Sequence, residues 1–224
     1  MVLPLLVTAV ALPAPRSLAA AGCAPAGSAA PPGAASRPVA DLDGDGVGDT
    51  LWIGKSQAAS GAMTRVVGVS TASGANSDVE ISSASPMPLR ALAIDARNDG
   101  GHQVLVSNGR SAHLYVFADC RLQTVVDSHY GRPFLFDLEN LAGNGTGVGC
   151  SDLGDGRRLV ALQALESGGS WTVRRTEVDL SGNRAATGRS DTLTATSAQD
   201  PVVTTAQTIS CGDLTINQDG VQEP

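Results

Sequence analysis

Aromatic side chains are scarce in this 224-residue chain: two Trp, two Tyr and three Phe in all. A core with so few large fillers must rest on β-branched and small aliphatic residues, for which the 42% hydrophobic content leaves room. Lysine is nearly absent too, since Lys55 stands alone among 15 basic residues and the rest are arginine. The 22 acidic residues outweigh them, for a net charge of −7. That balance excludes general nucleic-acid binding, which needs a cationic face that releases counterions. Motifs of covalent catalysis are also missing: there is no GxSxG, HExxH, P-loop or CxxC. Of the three histidines, His102, His113 and His129, the last follows Asp127 and Ser128 directly. Neighbours on an extended chain point to opposite faces, so this trio reads as a polar turn and not as a triad.

What is present begins with a leader. Residues 2–12 form an apolar run interrupted by Pro4 and Thr8. The run is too short for a bilayer span but long enough for the core of an export signal, although no Lys or Arg precedes it. Small residues at 19–22 then lead to Cys23, a pattern that resembles a bacterial lipobox, with Ala20 where that family prefers Leu. The resemblance implies a lipoprotein-type signal peptide over 1–22, lipidation of Cys23, and a chain exported and anchored in the cell membrane, facing outside the cytoplasm. Ordinary cleavage near Ala19–Ala21 is the competing expectation. Residues 24–38 are, apart from Arg37, Ala, Pro, Gly and Ser with no large apolar side chain. Such a segment does not bury enough surface to offset its conformational entropy, so it is expected to be a flexible tether. The folded part is then 39–224, with 13 basic against 22 acidic residues.

Hydrophobic patterning in that part is short, four to eight residues at a time, bounded by Gly, Asn, Asp and Ser, as at 50–53, 64–70, 104–106, 112–117 and 171–178. This predicts an all-β fold. Three segments share one design, an acidic Gly-rich loop running into a hydrophobic strand, beginning at Asp41, Asp95 and Asp152. The spacing suits one four-stranded sheet per repeat. The three loops resemble FG-GAP (VCBS-type) repeats, the blades of integrin-α-like β-propellers, whose DxDGDGxxD loop often holds Ca²⁺. The resemblance implies a small or incomplete β-propeller-like array of about three four-stranded repeats, near 39–88, 89–145 and 146–206. A terminal strand within 207–224 would close the ring or cover an edge, since bare edges invite aggregation.

The first loop is the metal candidate. Carboxylates at Asp41, Asp43, Asp45 and Asp49 occupy positions 1, 3, 5 and 9, and Val47 offers its backbone carbonyl at position 7. Ca²⁺ takes six to eight oxygen ligands, and the glycines between allow the curl that turns alternate side chains inward. Without a cation, converging carboxylates repel by about 4 kcal/mol per pair at 4 Å in an effective dielectric near 20. An EF-hand would need Glu at position 12, where Trp52 stands. The second loop keeps Asp95 and Asp99 but has Arg97 at position 3 and Gln103 at position 9; the third is shorter and keeps only Asp152 and Asp155. Neither is expected to hold Ca²⁺, and a guanidinium at Arg97 could replace the ion.

Cys120, Cys150 and Cys211 remain beside Cys23. Outside the cytoplasm one pair is expected to oxidise. Turn geometry alone does not choose it; adjacency of repeats favours Cys120 with Cys150, and Cys211 is the rival partner. The function expected from all this is a non-catalytic Ca²⁺-binding module of the cell envelope, attached to the membrane through its lipid and presenting loops to a protein or glycan partner. The competing expectation is an envelope hydrolase or carbohydrate-active enzyme whose carboxylates converge only in the fold.

Overall fold

The computed structural model describes residues 22–57, 60–138 and 145–224. The signal-peptide expectation for 1–22 lies, but for Gly22, outside the described residues. The fold is all-β, with one five-residue helix among the described residues.

Three antiparallel sheets follow one another along the chain. Sheet 1 is β1(Ala35–Pro38), β2(Thr50–Gln57), β3(Met63–Ser70) and β4(Asn76–Ile81), in that spatial order. Sheet 2 has the meander β5(Arg90–Asp95), β6(His102–Ser107), β7(Ser111–Ala118) and β8(Arg121–Thr124). The short β9(Val126–Asp127) then joins sheet 3, and β10(Leu135–Asp137) returns to pair with β7 beside β8. Sheet 3 is β11(Gly145–Asp152), β12(Arg157–Ser167), β13(Ser170–Ser181) and β14(Arg184–Ala195), with β9 parallel to β14. Helix α1(Pro201–Thr205) follows, its first turn capped by the Asp200 carboxylate on the Val202 N–H and opened by Pro201. The hairpin β15(Ser210–Cys211)–β16(Leu214–Thr215) and the strand β17(Val221–Gln222) complete the chain. The terminal segment does cover an edge: β17 pairs antiparallel with β5.

Alternation explains how the sheets share a core. On β6, Val104 and Val106 face sheet 1 with Leu51, Ile53, Val67 and Val69, while Leu105 faces sheet 3 with Leu114, Val148 and Leu159. Sheet 2 is therefore buried on both faces, which is why β6 reads as an unbroken apolar run. On the far face of sheet 3, Val160, Leu162 and Val173 pack against Val203 and Ala206, in and beside α1.

The tether expectation is corrected here. Residues 35–38 are β1, paired with β2, and Ala26 forms a parallel bridge with Ala75, whose neighbour Asn76 donates its N–H to the Ala26 carbonyl at 2.8 Å. The small residues of the segment let its backbone lie close against sheet 1 at particular points. A Cβ on Gly54 would come within 2.7 Å of Pro31, and one on Gly27 within 2.0 Å of the Asn76 carbonyl. Backbone pairing at a sheet edge holds it, not a core of its own.

The cysteine expectations are corrected as well. The disulfides are Cys23–Cys120 and Cys150–Cys211, with no free thiol among the described residues. Cys120 does not pair with Cys150: the ordered segment after residue 22 brings Cys23 to the β7–β8 turn, and the terminal hairpin brings Cys211 to β11. A sulfur held in a disulfide carries no thioether lipid, so Cys23, 4% exposed in the core, is not a lipidation site in this structure.

Trp52 lies on the outer face of sheet 1, opposite Leu51 and Ile53, and its indole covers its cross-strand partner Gly68. A Cβ on Gly68 would sit 2.2 Å from Trp52 Cζ2, and the indole N–H is fixed on Ser70 Oγ at 3.1 Å. Gly68→Ala is therefore expected to lower stability by roughly 1–3 kcal/mol through overpacking. Urea denaturation followed by tryptophan fluorescence reads this as a lower midpoint; an unchanged midpoint would mean that the indole moves aside freely.

Candidate metal loop and its two relatives

Each acidic loop joins the first strand of its sheet to the second: 41–49 enters β2, 95–101 enters β6, and 152–156 enters β12. The repeat seen in the sequence thus occupies the same place in all three sheets.

In the first loop, oxygens of Asp41, Asp43 and Asp49 lie within 4.8 Å of one another. Asp45 is not in that group. Its Oδ1 accepts the Val47 N–H at 2.7 Å, and the Val47 side chain is exposed. Asp41 shapes the curl by accepting the N–H groups of Gly44 and Gly46, both at 2.7 Å. Gly44 and Gly46 have φ of 79° and 87°, a region in which a side chain is strained. Asp49 is buried, 2% exposed, and ties the loop to its surroundings through the N–H groups of Leu42 and Ala72. Burial holds its carboxyl above the usual value against those two bonds, and the carboxylates of Asp43 and Asp41 push the same way. For Asp43 burial also raises, but the Cys23 N–H at 2.8 Å and the Ser73 hydroxyl at 2.6 Å prevail, leaving it below the usual value.

The other two loops are neutralised from within the protein. Gln103 replaces Asp49 at position 9 and does the same mechanical work without charge: its Oε1 accepts the Ala96 N–H at 3.0 Å, as Asp49 accepts that of Leu42. Arg97 lies 2.7 Å from Asp99, although both side chains are well exposed and the pair adds little energy. Asp95 is occupied by the N–H groups of Arg97, Asp99 and Gly100. In the third loop Asp152 accepts from Gly154 and Gly156, while Asp155 faces Arg189 at 3.1 Å. Arg189 also holds the buried Glu177. Among the described residues, no Lys, Arg or His makes an ion pair with Asp41, Asp43, Asp45 or Asp49. The Arg189 and Gln103 compensations were not read from the sequence. A glutamine at loop position 9 was the one visible signal.

Loops 1 and 2 and the β15–β16 turn converge on a cleft of about 780 Å³ floored by Leu92 and Ile94 and flanked by Arg37, Asp95 and Arg157. The Asp127–His129 trio is a turn: Asp127 Oδ1 accepts the N–H groups of His129 and Tyr130. Arg175, four residues after Trp171, is paired with Asp191 and so offers no free cationic spot there.

No family model matches the chain, and neither a curated protein nor a solved structure matches it.

Proposed function

We propose that this chain is an exported, non-catalytic binding module, an open array of three FG-GAP-like blades whose first loop takes one Ca²⁺. The observation carrying this reading is the contrast among the loops. Two have a guanidinium facing an acid, and the third, richest in carboxylates, has none. Asp41, Asp43 and Asp49 would hold the ion, and its charge would offset the burial, and with it the mutual repulsion, that keep Asp49 hard to ionise. Two disulfides fit an oxidising compartment outside the cytoplasm. The cleft between loops 1 and 2 is the natural seat for a protein or glycan partner, and its volume falls within the usual range of ligand sites.

Ca²⁺ at about 100 times its Kd is expected to add about 2.7 kcal/mol. For a chain of this size that is a rise in Tm of roughly 5–10 °C. Scanning calorimetry in chelator and in millimolar Ca²⁺ measures it. Asp41→Asn and Asp43→Asn are expected to abolish the rise. An equal Tm in both buffers for the unaltered protein overturns the metal assignment. A glycan array probed in both buffers tests the binding role: capture confined to Ca²⁺ supports it, and capture indifferent to the ion separates the partner site from the loop.

A further inference from the structure

We infer that the two disulfides differ in kind: Cys150–Cys211 is a reductively labile link whose leaving sulfur is Cys211, whereas Cys23–Cys120 is a structural one. The groups around the two buried sulfurs carry this. Cys211 is 4% exposed, and Arg157 Nη2 lies 2.9 Å from its Sγ. The other guanidinium nitrogen of Arg157 bonds two neutral oxygens, the Asp95 carbonyl at 3.0 Å and Asn98 Oδ1. Among the described residues Arg157 has no carboxylate within ion-pair distance. Its charge is therefore free to stabilise a thiolate, and a thiolate so stabilised leaves faster and is held more firmly once formed. Cys150 is partly buried and is the sulfur open to attack; Cys120 of the other link is more exposed, so the leaving sulfur and not access sets the two apart.

Cys23 is as buried as Cys211, at 4%. Its surroundings have the opposite sign: its own N–H is bound to Asp43, beside Asp41 and Asp49, and no cationic side chain hydrogen-bonds its sulfur among the described residues.

The step balances with an external dithiol as reductant. One of its thiolates attacks Cys150 Sγ, the Cys150–Cys211 bond breaks, and its electron pair departs on Cys211 beside Arg157. The second thiol of the reductant then loses its proton to solvent and attacks its own sulfur in the mixed disulfide. That expels Cys150, which takes a proton from water, and the reductant leaves as its disulfide. Two electrons pass to the protein. The link that opens is the one fixing the β15–β16 hairpin, at the wall of the cleft, to β11.

The test uses the oxidised protein, without added metal, equilibrated over a series of oxidised and reduced dithiothreitol mixtures, then alkylated and mapped by mass spectrometry. Cys150 and Cys211 are expected to be labelled under conditions at least tenfold less reducing in equilibrium constant than those that label Cys23 and Cys120, a gap of about 30 mV or more. Arg157→Met is expected to close most of that gap and Arg157→Lys to keep most of it. A second measurement does not depend on those variants folding: in the singly reduced protein, Cys211 alkylation should stay rapid well below the usual thiol range near about 8.5. Simultaneous opening of both links, earlier opening of Cys23–Cys120, an unchanged gap in Arg157→Met, or Cys211 alkylation that falls away as for an ordinary thiol each overturns the inference.

Discussion

Cys120→Ser is expected to lower stability by roughly 2–5 kcal/mol, the usual range for loss of a native disulfide. Cys23–Cys120 spans 97 residues, and chain-entropy estimates for a closed loop of about 100 residues reach about 4.7 kcal/mol. Cys23→Ser should cost a similar amount and the double variant little more, because one link is lost in every case. The turn carrying Cys120 adds a finer expectation. Asp119 and Cys120 are the two residues between paired Ala118 and Arg121, with φ of 52° and 60°. A two-residue hairpin loop with both φ positive is a type I′ turn, which favours Gly at the second position. Cys120→Gly loses the link but relieves the turn, so it should be less destabilised than Cys120→Ser by about 0.5–1 kcal/mol. Equilibrium urea unfolding of the four variants measures the order. Equal losses for Gly and Ser would show that the turn is not strained by the cysteine.

Glu223→Gln should be nearly as damaging. The Glu223 side chain is 7% exposed, and its Oε2 receives the Arg65 Nε at 2.9 Å and the Leu89 N–H at 3.0 Å. Arg65, 19% exposed, also donates to the carbonyls of Ser85 and Met87. This cluster joins sheet 1, the connection to sheet 2 and the terminal strand. Removing one member of a buried pair leaves the other charged and desolvated, at a cost of about 3–5 kcal/mol. Replacing both, as in Arg65→Met with Glu223→Leu, should cost much less than the sum of the single changes. Burial raises the Glu223 carboxyl, but the bonds from Arg65 and Leu89 outweigh it, and its folded value lies below the usual one. The stabilisation is therefore complete above the unfolded value, near about 4.3, and is lost as pH falls through the lower folded value. Titrating stability of the native protein and of Glu223→Gln down to acid should bring the two curves together. Curves that stay parallel below that range would exclude the ion pair as the cause.

Strand patterning and the acidic loops were legible in the sequence because both are local. A β-branched run after DxDGDG specifies a curl and then a strand through residues that are chain neighbours. The pairing of the cysteines was not legible, because it depends on which turns meet in space. Residues 24–38 misled for a more instructive reason. Composition measures what a segment brings to a core, and this one brings nothing; its small residues instead let it approach Gly54, Gly74 and the Asn76 backbone closely. At the candidate site, Asp41, Asp43 and Asp49 were legible from their spacing. The guanidinium of the second loop, Arg97, was legible too, but the charge compensation of the third loop was not, since Arg189 reaches Asp155 from β14, far along the chain.

Sheets stacked face on face are a plan of construction with no inherent end: any outer apolar face could receive another sheet, from this chain or from a second copy. Here both ends are finished. Helix α1 closes the far face of sheet 3, and Pro31 together with Trp52, 2% exposed, closes that of sheet 1. These pieces act as terminators of the kind that repeat arrays need to stay soluble. Two short segments, one before β1 and one after β14, thus cover the two outer faces of the stack.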